Sequence, residues 1–502
     1  MRARSEEALA GRGTFGAPVD GPDHPVFTDI EQDAETGVGE AFARLVAGYF
    51  AEARSGEGAV STPLRPEDLA RRFDEPLPLS GRPLEDVLAR VRDEVIPDSN
   101  RLCHPRSMGH QVSAPLPAAV WTESLVAALN QSAAVWEMSP VGTILEARVV
   151  RWLCDLAGLG PAAGGTFTSG GTEATFAALL AARAAALPDA WRDGVGDAPP
   201  VVLHGEHAHY AVARAVGELG LGTDNAIAIP SRGFRMDPAA LEAEIAREKA
   251  RGRRVMAAVA TAGTTATGSF DDLEAIGRLC EEQGIWLHVD GAHGASALFS
   301  SGHRHQLRGI ERARSIAWDP HKMMLMPLSA SVVLVRDERL LDAAFSQKAP
   351  YLFHRREGDR AFDQGVRSFQ CSRRLDAIKV WVALQRYGAT GLGAVYERLC
   401  ATARSLHDAI AVRSDFEALH EPESNILCFR YVGDGSLEGE RLDALNLRLR
   451  EAYNRSGAGW ITTTLLGGRR VLRVTVMNPR TTRADMEGTL RRLAEMGVSS
   501  PP

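Results

Sequence analysis

The chain has 502 residues, 57 basic against 64 acidic side chains for a net charge of −7, and a 45% hydrophobic composition. Those proportions belong to a folded globular protein and exclude a wholly disordered, collagen-like or coiled-coil chain. The mild negative balance argues against a general nucleic-acid or membrane-surface binder, which needs a basic face.

In chain order, residues 1–28 are small, polar and broken by Gly and Pro, without the apolar core of a signal peptide, and are expected to form a flexible arm. Residues 29–100 carry helical periodicity, as in VGEAFARLVAGYFAEA (38–53) and LEDVLARVRDEVI (84–96). Between about 150 and 340 short apolar runs alternate with amphipathic stretches. The candidate strands are PVVLH (200–204), AIAIP (226–230), VMAAVATAG (255–263), IWLHVD (285–290), SIAWD (315–319) and SASVVLVRD (329–337). This alternation predicts an α/β fold whose sheet is mostly parallel and covered on both faces. A long helix is expected from about residue 376, followed by a small α+β lobe with strands at 425–432 and 469–477. The resulting division is a helical segment at 29–100, a large domain at 101–385 and a small domain at 386–502. No stretch reaches about 18 uninterrupted apolar residues, so no membrane span is expected. The six cysteines are scattered without a CxxC pair, as suits reduced thiols in a cytoplasm.

Ligands of open parallel sheets bind at the carboxyl ends of strands, and several of those ends are polar here. In GGTFTSGGTEATFAALLAAR (164–183), Gly170 and Gly171 lead into a helix near Thr172. Unpaired N–H groups at a helix start suit a phosphate, and the same pattern also describes an ordinary capped helix. Asp290 ends IWLHVD, where a carboxylate could pair with a protonated ring nitrogen or cap a helix. Only four of the basic residues are lysines. Lys322 meets the apolar run Met323–Met326, which would favour a neutral, nucleophilic amine. Lys249, Lys348 and Lys379 lie in charged or amphipathic sequence and are expected at the surface. His207 and His209, in GEHAHYAVARA (205–215), read as a metal pair, a stacking surface or incidental loop residues. With His303, His305 and Asp290 they admit a metal-hydrolase reading, but no HExxH motif accompanies them and no metal is expected. Together, a phosphate cradle, a carboxylate for a ring nitrogen, a stacking imidazole and a lone reactive lysine match the needs of pyridoxal 5′-phosphate.

These residues resemble the group II pyridoxal-phosphate-dependent amino acid decarboxylases, which include the glutamate, aromatic amino acid and 2,4-diaminobutyrate decarboxylases. The resemblance spans about residues 100–485 through HPRSMGHQ, WEMSPVGTILE, TSGGTEAT, EHAHYAVARA, ATAGTTATGSFDDLEAI, WLHVDGAHG, WDPHKM, QCSRRLDAIKVW and LRVTVMNPRTT. It implies the fold of the type I pyridoxal-phosphate-dependent transferases and a homodimer with shared active sites. It implies that Lys322 holds the cofactor covalently, with His321 near the phosphate bound by Gly170, Gly171 and Thr172. Asp290 would pair with the ring nitrogen, Ala292 would pack beneath the ring, His209 would stack above it and Thr265 would contact it. Arg473 matches the arginine used on the substrate carboxylate, and the substrate pocket should involve His104–Ser113 and Trp136, where Arg106 or His110 points to an acidic or polar substrate side chain and either could equally be structural. The implied reaction converts an L-amino acid to its amine and CO2.

Two positions depart from that pattern. The family's mobile loop supplies a tyrosine that returns a proton to the α-carbon; the matching position is Phe362, which has no exchangeable proton. Relatives with Phe there consume oxygen and release an aldehyde, so oxidative decarboxylation–deamination is the alternative expectation, with Tyr351 or His209 as other proton donors. The second departure is His293, which follows Ala292 where many relatives carry Tyr.

Overall fold

The computed structural model describes residues 25–345, 349 and 362–498. A seven-stranded sheet forms its centre: β1 (Gly164–Thr168), β2 (Val201–Gly205), β3 (Ala226–Ile229), β6 (Val255–Thr261), β7 (Trp286–Asp290), β8 (Ser315–Trp318) and β9 (Ser331–Val335). A two-residue hairpin pair, β4 (Ser231–Arg232) and β5 (Arg235–Met236), stands apart from it. The order across the sheet is β1-β9-β8-β7-β6-β2-β3, parallel except for β9, which runs against both its neighbours. β1, β6, β7, β8 and β9 are buried along their whole length. Helices cover both faces, so an unbroken apolar run such as VMAAVAT is stable only as an interior strand.

The crossover helices start where their caps dictate. Asp237 accepts from Ala239 N (3.0 Å) ahead of helix Pro238–Ala250, and Asp272 accepts from Ala275 N (3.0 Å) ahead of helix Leu273–Gln283. The β8–β9 connection differs. An antiparallel neighbour needs no helical crossover, so residues 319–330 simply turn the chain back at the carboxyl end of β8, and Lys322 lies in that turn.

Helix Ala377–Ala411 bends at Gly388 (φ 68°, ψ 167°). Its first part packs on helices Pro117–Leu129 and Pro140–Leu156; helix Arg483–Val498 of the small lobe also packs on it. That lobe is an antiparallel sheet of β10 (Phe416–Ala418), β11 (Ile426–Tyr431), β12 (Thr462–Leu466) and β13 (Arg469–Thr475), in the order β10-β11-β13-β12, with helices Gly439–Arg455 and Arg483–Val498 against it. β1, β10 and β12 were not among the strands expected from the sequence. The first described helix, Pro25–Asp33, starts ahead of the expected boundary at 29 and buries none of its residues.

The lysines require a correction. Lys249 is exposed and Lys348 lies outside the described residues, but Lys379 is fully buried. Its ammonium pairs with Glu123 and with Asp376 (3.0 Å) and donates to Ser329 O (2.6 Å). Glu123 lies 256 residues away along the chain, so only the tertiary fold brings the pair together.

Candidate active site

Five strand ends and loops converge on a cavity of ≈ 230 Å³. The turn into helix Gly171–Ala186 supplies Ser169, Gly170, Gly171 and Thr172; the loop after β2 supplies His209; the end of β6 and its loop supply Thr261, Gly263 and Thr265. β7 ends in Asp290, followed by Ala292 and His293, and the turn after β8 supplies Asp319, His321 and Lys322. Gln111, Ala211 and Leu328 complete the lining. All nine residues expected at the cofactor, from Gly170 to Lys322, therefore meet in one place. A larger open depression near Asp272 and Arg308 has none of them.

The helix start is shaped for close approach. A Cβ on Gly171 would stand 3.0 Å from both the Ala292 methyl and an Asp319 oxygen, so only glycine leaves the backbone N–H groups reachable there. Ser169 donates to Glu173 through its hydroxyl (2.6 Å) and its N–H (2.9 Å), and Gln370 Nε2 donates to the same carboxylate oxygen (2.8 Å), which fixes the turn.

Asp290 is buried, and one oxygen accepts from Ala292 N (3.2 Å). No cation pairs with it among the described residues. A buried carboxylate without a counter-charge is costly, and a protonated ring nitrogen in the cavity would relieve that cost. His209 takes a hydrogen bond from Ala211 N at Nδ1 (3.2 Å), so its neutral ring carries the proton on Nε2. Burial pushes its pKa below the ordinary histidine value, against the opposing pull of Asp290, so the ring is neutral at neutral pH.

The environment of Lys322 differs from the sequence expectation. Met323–Met326 are buried in the hydrophobic core, and the amine instead lies 3.1 Å from Asp319 Oδ2. Lys322 N donates to Asp319 O (3.0 Å), and this turn brings the two side chains together. Ser331 Oγ donates to the other Asp319 oxygen. His321 donates from Nδ1 to Ala330 O (2.7 Å), and its Nε2 lies 3.5 Å from Asp319. Sequence reasoning missed Asp319, although an acid three positions before the lysine in WDPHKM was a signal for it.

His293 was noted only as a departure from the pattern. Asn425 Nδ2 donates to Val476 O (2.8 Å), which turns Asn425 Oδ1 toward His293 Nε2 (2.6 Å) and makes that nitrogen the donor. Complete burial lowers the His293 pKa to about 3, helped by Lys322.

The expected substrate residues are dispersed. Arg473, on β13, is nearly buried and donates to Thr265 O (2.8 Å); among the described residues no carboxylate pairs with it, and burial lowers its pKa. His110 is exposed and stands edge-on to Trp460 (5.0 Å), with its pKa lowered by burial and by Arg473. His104 does not line the cavity: it is fully buried, accepts from Arg106 N at Nδ1 (3.0 Å), and has a pKa lowered by burial to about 4. Trp136 and Phe362 are also outside the lining; Trp136 N donates to Asp363 (2.7 Å), and Phe362 is 38% exposed. Tyr351 lies outside the described residues. His303 faces Ser300 and the Tyr396 ring rather than the cavity.

Residues 66–432 match the family described as the pyridoxal-dependent decarboxylase conserved domain. The L-2,4-diaminobutyrate decarboxylase of Rhizobium meliloti is 37% identical over 417 residues, 81% of either chain. The human cysteine sulfinic acid decarboxylase is 35% identical over 446 residues, 86% of this chain and 90% of its own. A crystal structure of mouse CSAD superposes with a TM-score of 0.86 at 32% identity, covering 92% of this chain and 99% of that one.

Proposed function

The chain belongs to the pyridoxal-dependent decarboxylases and is a pyridoxal-phosphate-dependent carboxy-lyase acting on an amino acid; from that premise, we propose how its own residues divide the work. The observation that carries the assignment is the meeting of Lys322, Asp290, His209 and the Gly170–Thr172 turn around one cavity. The groups present fit the cofactor: a glycine-lined helix start for its phosphate, an unpaired buried carboxylate for its ring nitrogen, and an amine for covalent attachment. Bound there, pyridoxal phosphate supplies an electron-accepting ring for the electron pair left when CO2 departs.

Asp290 holds the proton on the ring nitrogen and so keeps the ring positively charged. Thr172 and the N–H groups of the helix start hold the phosphate, with His321 beside it. Ala292 and His209, which both line the cavity, would pack against the ring. Thr265 fixes the ring edge, while Lys322 carries the attachment and takes it back after turnover. Arg473 orients the substrate carboxylate, because a buried guanidinium without an acidic partner has a free fork for a planar anion. His110 lies on the approach to Arg473.

The active form is a homodimer. Helix Pro117–Leu129 presents Trp121, Leu125 and Leu129 on one face, all exposed, and Val141 and Ile144 are exposed on the next helix. Such apolar stripes call for a covering surface. Trp136 and Phe362, which do not reach this cavity, would serve the shared sites near that interface. The large and small domains join near residue 385, next to the bend at Gly388. The location is cytoplasmic, in keeping with free cysteines at all six positions, and no helix among the described residues is long and apolar enough to cross a membrane.

The test is a panel of amino acids that includes 2,4-diaminobutyrate, cysteine sulfinate, glutamate and an aromatic amino acid. Amine and CO2 should appear in equal amounts without oxygen uptake. Peroxide and aldehyde from every substrate turned over would overturn simple decarboxylation.

A further inference from the structure

Asp319 has a place in the cavity and no role in the account above. Its carboxylate is 1% exposed, held by Ser331 Oγ on one oxygen and 3.1 Å from the Lys322 amine on the other. Its Oδ2 stands 3.0 Å from where a Gly171 Cβ would be, beside the start of helix Gly171–Ala186. The ammonium of Lys322 meets no other carboxylate among the described residues.

We propose that Asp319 is the positioning residue that receives the Lys322 amine whenever the cofactor is joined to a substrate instead of to the lysine. This rests on the reading of Lys322 as the attachment site. The proton balance is closed. The substrate nitrogen would arrive as an ammonium and pass its surplus hydrogens, as protons, to the lysine nitrogen it displaces. Lys322 would then leave as an ammonium, with no net proton drawn from solvent. An ammonium withdrawn from water without a partner is unfavourable, and Asp319 provides the partner, 3.1 Å from the amine. Ser331 fixes the carboxylate orientation, so the amine returns to the same point after every cycle.

The test is a double-mutant cycle read by binding. The probe is phosphopyridoxyl-ethylamine, a reduced adduct in which the cofactor is already joined to an amine and cannot attach to the protein. Its Kd is measured by calorimetry on the full chain stripped of cofactor. With Lys322 present, Asp319→Asn should weaken binding by about tenfold to a hundredfold, as expected for a lost bond to a charged group. In a Lys322→Ala background there is no amine to receive, and the same substitution should change Kd less than threefold or tighten it. Ser331→Ala, a milder change that keeps the carboxylate, should show a weaker form of the same dependence on Lys322. Equal weakening in both backgrounds, or none with Lys322 present, would overturn the proposal. Borohydride reduction of the loaded wild-type chain separates the two failures. Absence of a cofactor adduct on the Lys322 peptide sinks the attachment site itself, whereas an adduct there with a flat cycle sinks only the role of Asp319.

Discussion

Among the described residues Lys379 is fully buried and Lys322 half-buried, and their surroundings differ in a way that separates chemistry from architecture. Lys379, in the first turn of helix Ala377–Ala411, reaches Glu123 on helix Pro117–Leu129, with Asp376 and the Ser329 carbonyl also around its ammonium. Every N–H of that ammonium has an acceptor. Lys322 has one carboxylate beside it and a cavity in front. A saturated buried charge is a fixture; a half-buried charge held from one side is available to react.

The largest expected effect follows from that asymmetry. Lys322→Ala should lower turnover by about a thousandfold or more, because it removes the nucleophile that carries the cofactor. Retention of substantial activity would break the comparison at once. Lys379→Met should do the opposite: it leaves Asp376 without its ion pair and Glu123 with Arg374 alone, and should cost about 3 kcal/mol of stability in denaturant titration, while the protein that remains folded keeps its visible cofactor band. Loss of that band in folded Lys379→Met protein would mean that the two lysines are not separable.

Arg473 is another buried cation and extends the contrast, since it has a carbonyl partner but no acid among the described residues. Arg473→Met should raise KM about tenfold to a hundredfold with a smaller change in cofactor affinity, measured by equilibrium dialysis. A change confined to cofactor affinity would remove Arg473 from substrate binding.

The buried neutral bases give the effect that is smallest per pH unit. Burial lowers the pKa of His288 to about 4 and that of His293 to about 3, from an ordinary 6.5. As the pH falls through 6.5 the unfolded chain takes up protons that the folded chain refuses, so stability falls toward acid pH. Each histidine contributes about 1.4 kcal/mol per pH unit between its two values. His293→Phe should flatten the slope of stability against pH between 4 and 6.5 by one proton. An unchanged slope would mean that His293 is not held neutral.

Much of this was legible in the sequence because strand ends in an open parallel sheet are read directly from apolar runs and the polar residues that follow them. Asp290, His209 and Lys322 each stand at or just beyond such a run, and the fold brings them together. What escaped was set by contacts distant in the chain. The burial of Lys379 depends on Glu123 from another helix, and a local window around residue 379 shows only an amphipathic helix. β1 reads as a glycine-rich loop because its glycines answer a neighbour: a Cβ on Gly165 would lie 2.2 Å from the Val333 carbonyl oxygen. His104 resembled a substrate residue by motif, yet its ring is locked against the backbone of Arg106 and turned away from the cavity. Asp319 was hidden by its neighbours, since a motif centred on the lysine draws attention forward to the methionines rather than back by one turn.

The most direct test of the account is the site of covalent attachment. The loaded protein is reduced with borohydride, digested and mapped by mass spectrometry across its four lysines. The account predicts one phosphopyridoxyl group per chain, on Lys322, and none on Lys379. An adduct on another lysine, or a loaded chain with no reducible adduct, would contradict it.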